Sequence, residues 1–96
     1  MSAGASSWLA SLRVQAVGAD NMGWDDIGVV DPDLNVSLPG HLILLVHHGI
    51  YIIENLNLEE LSSDRCYEFT FITLPLKIQG ATGSPVRPIA VAPTSN

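Results

Sequence analysis

Residues 38–61, LPGHLILLVHHGIYIIENLNLEEL, carry the clearest alternation of apolar and polar positions in the chain. Ser37 stands where a hydroxyl can accept a first-turn amide, and Pro39 suits a first helical position because it has no N–H to leave unpaired. The aliphatic block 42–46 continues as a helix, and Gly49 suits the left-handed conformation that ends one. Ile50-Tyr51-Ile52-Ile53 then reads as a buried, β-branched strand ending at Glu54.

Around this centre the signals are shorter. Ser7 can cap a helix on which Trp8, Leu9 and Leu12 form an apolar edge, and residues 14–17 read as a strand. Residues 21–36 hold Asp25, Asp26, Asp31, Pro32 and Asp33, which predicts an irregular, solvated loop with turn chemistry. Residues 57–61 suggest one helical turn. Residues 67–78 form the longest strand candidate, with Tyr67, Phe69, Phe71 and Thr73 on one face. Pro75 marks a bend or edge in it. Residues 80–85 read as a loop and 86–91 as a last strand. The pattern predicts a small mixed α/β domain over residues 7–93. Residues 1–6 are expected to be disordered, and residues 94–96 to form a loose tail.

Composition adds a constraint. A 96-residue chain buries only about 60–65% of its unfolded surface. Yet this one is 47% apolar and 15% charged. That excess points to apolar surface covered by another chain, and a homo-oligomer, dimer or tetramer, is expected. The apolar block 42–46 and the strand 67–76 are the expected interfaces. The net charge of -6 and four scattered cations, Arg13, Arg65, Lys77 and Arg87, argue against nucleic acid. No apolar run approaches the roughly 20 residues that span a bilayer. The first residues, MSAGASSW, lack the basic and apolar regions of a signal peptide, and Cys66 is the single cysteine; a cytoplasmic protein is expected.

Chemistry concentrates on His41 and Glu54, at opposite ends of the apolar segment. His47 and His48 adjoin the glycine stop, where a histidine interacts favourably with the helix terminus, and adjacent helical positions point about 100° apart, so they do not form a chelate. The acidic loop lacks the calcium-loop spacing, and residues 80–84 lack the Lys-Ser/Thr of a phosphate loop.

Three stretches together carry a resemblance: WLASLRVQAVGADN with its Gly18-x-Asp20 turn, the 38–61 segment, and YEFTFITLPLKIQGATGSPVRPIAVAP. Over residues 7–93 the chain resembles the C-terminal part of the cyclase family, metal-dependent hydrolases that include kynurenine formamidase. The resemblance implies part of a swivelling β/β/α fold, completed by oligomerisation. It also implies metal-ligand roles for His41 and Glu54, since imidazole and carboxylate both suit Zn²⁺ or Mn²⁺. The family's HxGTHxDxPxH signature has no counterpart in these 96 residues, and a catalytic zinc normally takes three protein ligands. The expectation is therefore a truncated, non-catalytic module that is oligomeric or binds a small aromatic or amide ligand, with no metal in the isolated chain. The alternative is a metal-dependent amide hydrolase, loaded with Zn or Mn, whose site is completed by another protomer or a separate N-terminal partner.

Overall fold

The computed structural model describes residues 1–93; the tail expected at 94–96 lies outside them. The chain divides into two compact units, the first ending at Asn57 and the second beginning at Leu58.

In the first unit, α1 (Ala3–Ser11) begins at Ser2, whose hydroxyl accepts the Ala5 amide at 3.1 Å. The helix thus starts ahead of the expected Ser7 cap and includes residues read from sequence as disordered. Its buried face is also different. Ser6 and Ala10 are buried, with Ala3 and Leu9 packed nearby, while Trp8 and Leu12 are exposed. Small side chains at i, i+3 and i+7 let this helix lie close to its neighbours.

Strand β1 (Ala16–Gly18) pairs in parallel with β2 (Tyr51–Ile53), in the register Ala16 to Tyr51 and Gly18 to Ile53. Hydrogen bonds run past the strands: Ala19 donates to Ile53, Leu56 to Ala19 and Asn55 to Asn21. This continuation sets residue 54 beside residues 21–24. Ile50 is buried as expected, whereas Tyr51 is exposed and Ile52 and Ile53 are half-buried. A two-stranded ladder covers β2 on one side only, so the fully buried strand read from sequence is half right.

The central helix opens with one α-turn, α2 (Pro39–His41), and runs directly into a π-helical segment, Leu42–His47. Pro39 takes its expected place in the first turn. Ser37 does not cap it; the cap position is Leu38, with no side-chain bond of its own. At the other end Gly49 adopts φ +64°, and the Ile50 amide returns to the Leu44 carbonyl at 2.8 Å. This is the left-handed stop that the sequence predicts. His48 Nδ1 donates to the Ile43 carbonyl at 2.7 Å.

Trp24, Ile43, Leu44, Ile50, Val17 and Ala10 form the core, with Leu44 fully buried and Trp24 2% exposed. The Trp24 indole N–H donates to the Ser6 hydroxyl at 3.0 Å, and that hydroxyl donates to the Ser2 carbonyl.

The loop at 31–36 follows its turn chemistry. Asp31 Oδ1 accepts the amides of Asp33 and Leu34, and an isolated bridge joins Asp31 to Val36.

The second unit holds α3 (Glu59–Ser63) and an antiparallel pair, β3 (Thr70–Ile72) with β4 (Ile89–Val91). Both strands are much shorter than the 67–78 and 86–91 runs expected. The Phe69 and Phe71 rings meet edge to face at 6.3 Å on the face assigned to them. Ser84, in the 80–85 loop, accepts the Leu76 amide and donates to the Pro85 carbonyl, a purely structural arrangement. No described residue from 58 onward is fully buried, and Tyr67, Leu74 and Leu76 are widely exposed.

Gly40 is closely walled in by three neighbouring side chains of the first unit. A Cβ there would lie 2.7 Å from Asp25 Oδ1, 2.7 Å from Trp24 Cδ1 and 2.8 Å from Ser6 Oγ. All three belong to buried side chains that have little room to swing away. Gly40→Ala is expected to cost about 1–3 kcal/mol, the usual range for overpacking. Urea unfolding reads this directly, and an unchanged midpoint and slope would contradict the packing described.

Candidate functional site

A tryptophan and an aspartate adjacent in sequence reach both residues that the sequence singles out. The Trp24 amide donates to Glu54 Oε2 at 2.6 Å. Asp25 Oδ1 accepts the Gly40 amide at 2.7 Å, and Oδ2 accepts the His41 amide at 3.0 Å. The His41 ring approaches the same Oδ2 through Nδ1 at 2.7 Å. The Asp25 side chain is fully shielded from solvent, while the His41 side chain is 32% exposed.

This is where the sequence reading of Asp25 fails. It was expected in a solvated loop and is instead a buried carboxylate that caps α2 and grips a ring. The first two free amides of the helix find their acceptor 15 and 16 residues upstream, not in Ser37. Hydrogen bonds to a charged acceptor contribute about 1.5–3 kcal/mol each, against about 0.5–1.5 for neutral pairs. The distant acidic cap therefore outweighs what the local serine could supply. Asp26 differs from its neighbour: its carboxylate lies at the surface, 3.5 Å from the Met1 ammonium.

The ring contact also bears on where the imidazole proton sits. A carboxylate oxygen only accepts, so with Asp25 ionised the proton in this contact belongs to His41 Nδ1, and in a neutral ring Nε2 then carries the lone pair. Carboxylate–histidine pairs of this kind orient metal-binding imidazoles and raise their basicity. Glu54 is exposed, and Oε2 accepts the Trp24 amide while Oε1 has no hydrogen-bond donor among the described residues. Each candidate thus keeps one donor atom for a ligand.

These donors suit a divalent ion in kind but fall short in number. Among the described residues no group of three or more His, Cys, Asp or Glu side chains is placed to hold a metal. His47 and His48 add nothing: His48 Nδ1 is spent on the Ile43 carbonyl, and no third ligand stands beside either. No helix among the described residues is long and apolar enough to cross a membrane.

The chain is 36% identical over 81 residues to a kynurenine formamidase of Polaromonas naphthalenivorans, covering 84% of this chain and 32% of that protein. It is 33% identical to a kynurenine formamidase of Delftia acidovorans, over 84% of this chain and 34% of the relative. Over this stretch the chain belongs to the cyclase family. A cyclase-like protein of rice agrees, at 37% identity over 54 residues, 56% of this chain and 19% of its own length. This member spans about a third of the length of the curated formamidases it matches. No family model matches it, and no solved structure does so significantly.

With two ligands at most, this cyclase-family chain is expected to hold Zn²⁺ or Mn²⁺ weakly, since a catalytic zinc normally needs three protein ligands. Metal content after exhaustive dialysis should fall far below one equivalent. Near-stoichiometric metal, lost on His41→Ala, would show that the isolated chain builds a complete site.

Proposed function

We propose that this chain is the His41- and Glu54-bearing module of a kynurenine formamidase-like amide hydrolase, non-catalytic by itself. Hydrolysis arises when a complementary polypeptide segment, or another protomer, completes its metal site. The observation that carries the reading is the Asp25–His41 pair. It buries a carboxylate and fixes an imidazole with Nε2 unspent, an arrangement more elaborate than a helix cap requires. Named formamidases among the relatives supply the reaction class.

In the completed site His41 Nε2 and Glu54 Oε1 are the protein donors that this chain offers to Zn²⁺ or Mn²⁺. The ion, when bound, lowers the pKa of a coordinated water and polarises the amide carbonyl. Asp25 holds the His41 ring, and the Trp24 amide holds the Glu54 carboxylate. An aryl formamide is the substrate class that the family relationship favours. The chain alone retains at most weak binding of a small aromatic or amide ligand.

The module also self-associates on this reading. Its second unit buries no described side chain fully and exposes Tyr67, Leu74 and Leu76, whereas Val46 lies exposed on the central helix of the first. Light scattering is expected to give a dimer or tetramer at micromolar concentration. A clean monomer would defeat that part of the proposal.

The catalytic part is tested by complementation. The chain is assayed with N-formylkynurenine alone, then mixed with a separately expressed polypeptide holding the remainder of the Polaromonas relative. Alone it should give background rates. The mixture should give metal-dependent turnover that His41→Ala lowers by about 100-fold or more, beyond the 10–100-fold typical of losing an outer-shell partner. Turnover by the lone chain, abolished by Glu54→Gln, would overturn the non-catalytic reading. A mixture that remains inactive would overturn the hydrolase reading.

A further inference from the structure

Capping alone does not account for Asp25. A helix start needs an acceptor for its free amides, and Ser37 stands close by in sequence yet is not used. The acceptor is drawn instead from residue 25, is shielded completely from solvent, and makes one bond that capping does not require, to the His41 ring. The surroundings keep it there. Trp24 is pinned through its indole to Ser6, and Gly40 admits Asp25 Oδ1 only because it has no Cβ.

We propose that Asp25 is the positioning residue of the site: it holds His41 in the Nδ1–H tautomer and so reserves the Nε2 lone pair for an incoming metal ion. The inference rests on the reading of His41 as a ligand, but it makes a claim that the isolated chain can answer without metal or substrate. Asp25 touches no reacting atom; it acts through the ring. Trp24 does the parallel work for Glu54 through its backbone amide, so one dipeptide sets both donors.

Asparagine at position 25 exposes the logic. It matches the shape of aspartate but replaces one acceptor oxygen with an NH₂ donor. With the NH₂ toward His41, Nδ1 must give up its proton and accept, which moves the proton to Nε2. With the NH₂ toward Gly40, the buried Gly40 amide faces a donor and loses its partner. Neither orientation preserves all three bonds that Asp25 makes.

The test is ¹⁵N–¹H multiple-bond NMR on the imidazoles of the full 96-residue chain, metal-free, at a pH where the rings are neutral. His47→Ala and His48→Ala assign the signals. The wild-type chain should show His41 as Nδ1–H. In Asp25→Asn the Nε2–H form should gain by roughly tenfold or more, as expected for loss of a charge-assisted hydrogen bond. His48, whose Nδ1 donates to the Ile43 carbonyl, should keep its tautomer and serves as the internal control. A wild-type His41 in the Nε2–H form overturns the proposal, as does an unmoved ratio in folded Asp25→Asn. A purely structural cap would lower the unfolding midpoint and leave the ratio unchanged. If Asp25→Asn does not fold, the wild-type tautomer decides. An inactive complementation mixture would remove the hydrolase reading and leave this measurement standing, so the two failures are distinguishable.

Discussion

A carboxylate removed from solvent must find donors for its oxygens, and in this chain that requirement organises everything around Asp25. Its two oxygens meet the Gly40 amide, the His41 amide and the His41 ring. Because those partners belong to the start of the central helix, satisfying the carboxylate fixes where that helix begins. Because Trp24 precedes it, the same placement drives the largest core side chain between α1 and the helix. Leaving a buried polar group without its partner typically costs about 1–3 kcal/mol, more for a charged one, while a whole domain is stable by only about 5–15 kcal/mol. A unit of 57 residues with six core hydrophobics has little margin to absorb such a loss.

The two units differ in how they meet the same entropy cost. The first has a core, a parallel strand pair and a buried polar network. The second has a three-residue antiparallel pair, one short helix and no fully buried described side chain. Proline at 75, 85 and 88 removes three ladder donors from the segment expected to form a long hairpin, which limits the pairing that this segment sustains. Local hydrogen bonds such as Leu76 to Ser84 close the loop instead. Exposed aromatic and aliphatic side chains in that unit are the physical basis for expecting a covering partner.

Much of the first unit's central segment was legible in the sequence because its signals are local. Pro39 in a first turn and Gly49 at a left-handed stop depend on neighbours within a few residues. Asp31 was equally legible, since its carboxylate turns back on amides two and three residues ahead. Asp25 has the same side chain in the same acidic loop, and nothing local separates the two. Its partners lie 15 and 16 residues away and become neighbours only when the first unit packs. The Ser37 cap failed for the same reason: a stronger acceptor reached the helix from a distance. The π winding of Leu42–His47 leaves no mark in an apolar block whose spacing suits an α-helix equally well. Small buried residues such as Ser6 and Ala10 were hidden behind the larger Trp8 and Leu12, which stay at the surface. His41 and Glu54 were found through family resemblance, while the dipeptide that holds them was visible only in three dimensions.

The buried Asp25 carboxylate caps and fixes the start of the central helix. Amide hydrogen exchange on the metal-free chain tests it most directly, read at Gly40 and His41. First-turn amides of a helix without a side-chain cap have no intrahelical acceptor and exchange rapidly. With Asp25 as acceptor, both are expected to be protected to a degree comparable with the core amide of Ile50, whose acceptor is the Leu44 carbonyl. Exchange of Gly40 and His41 at unprotected rates, with Ile50 still protected, would contradict it.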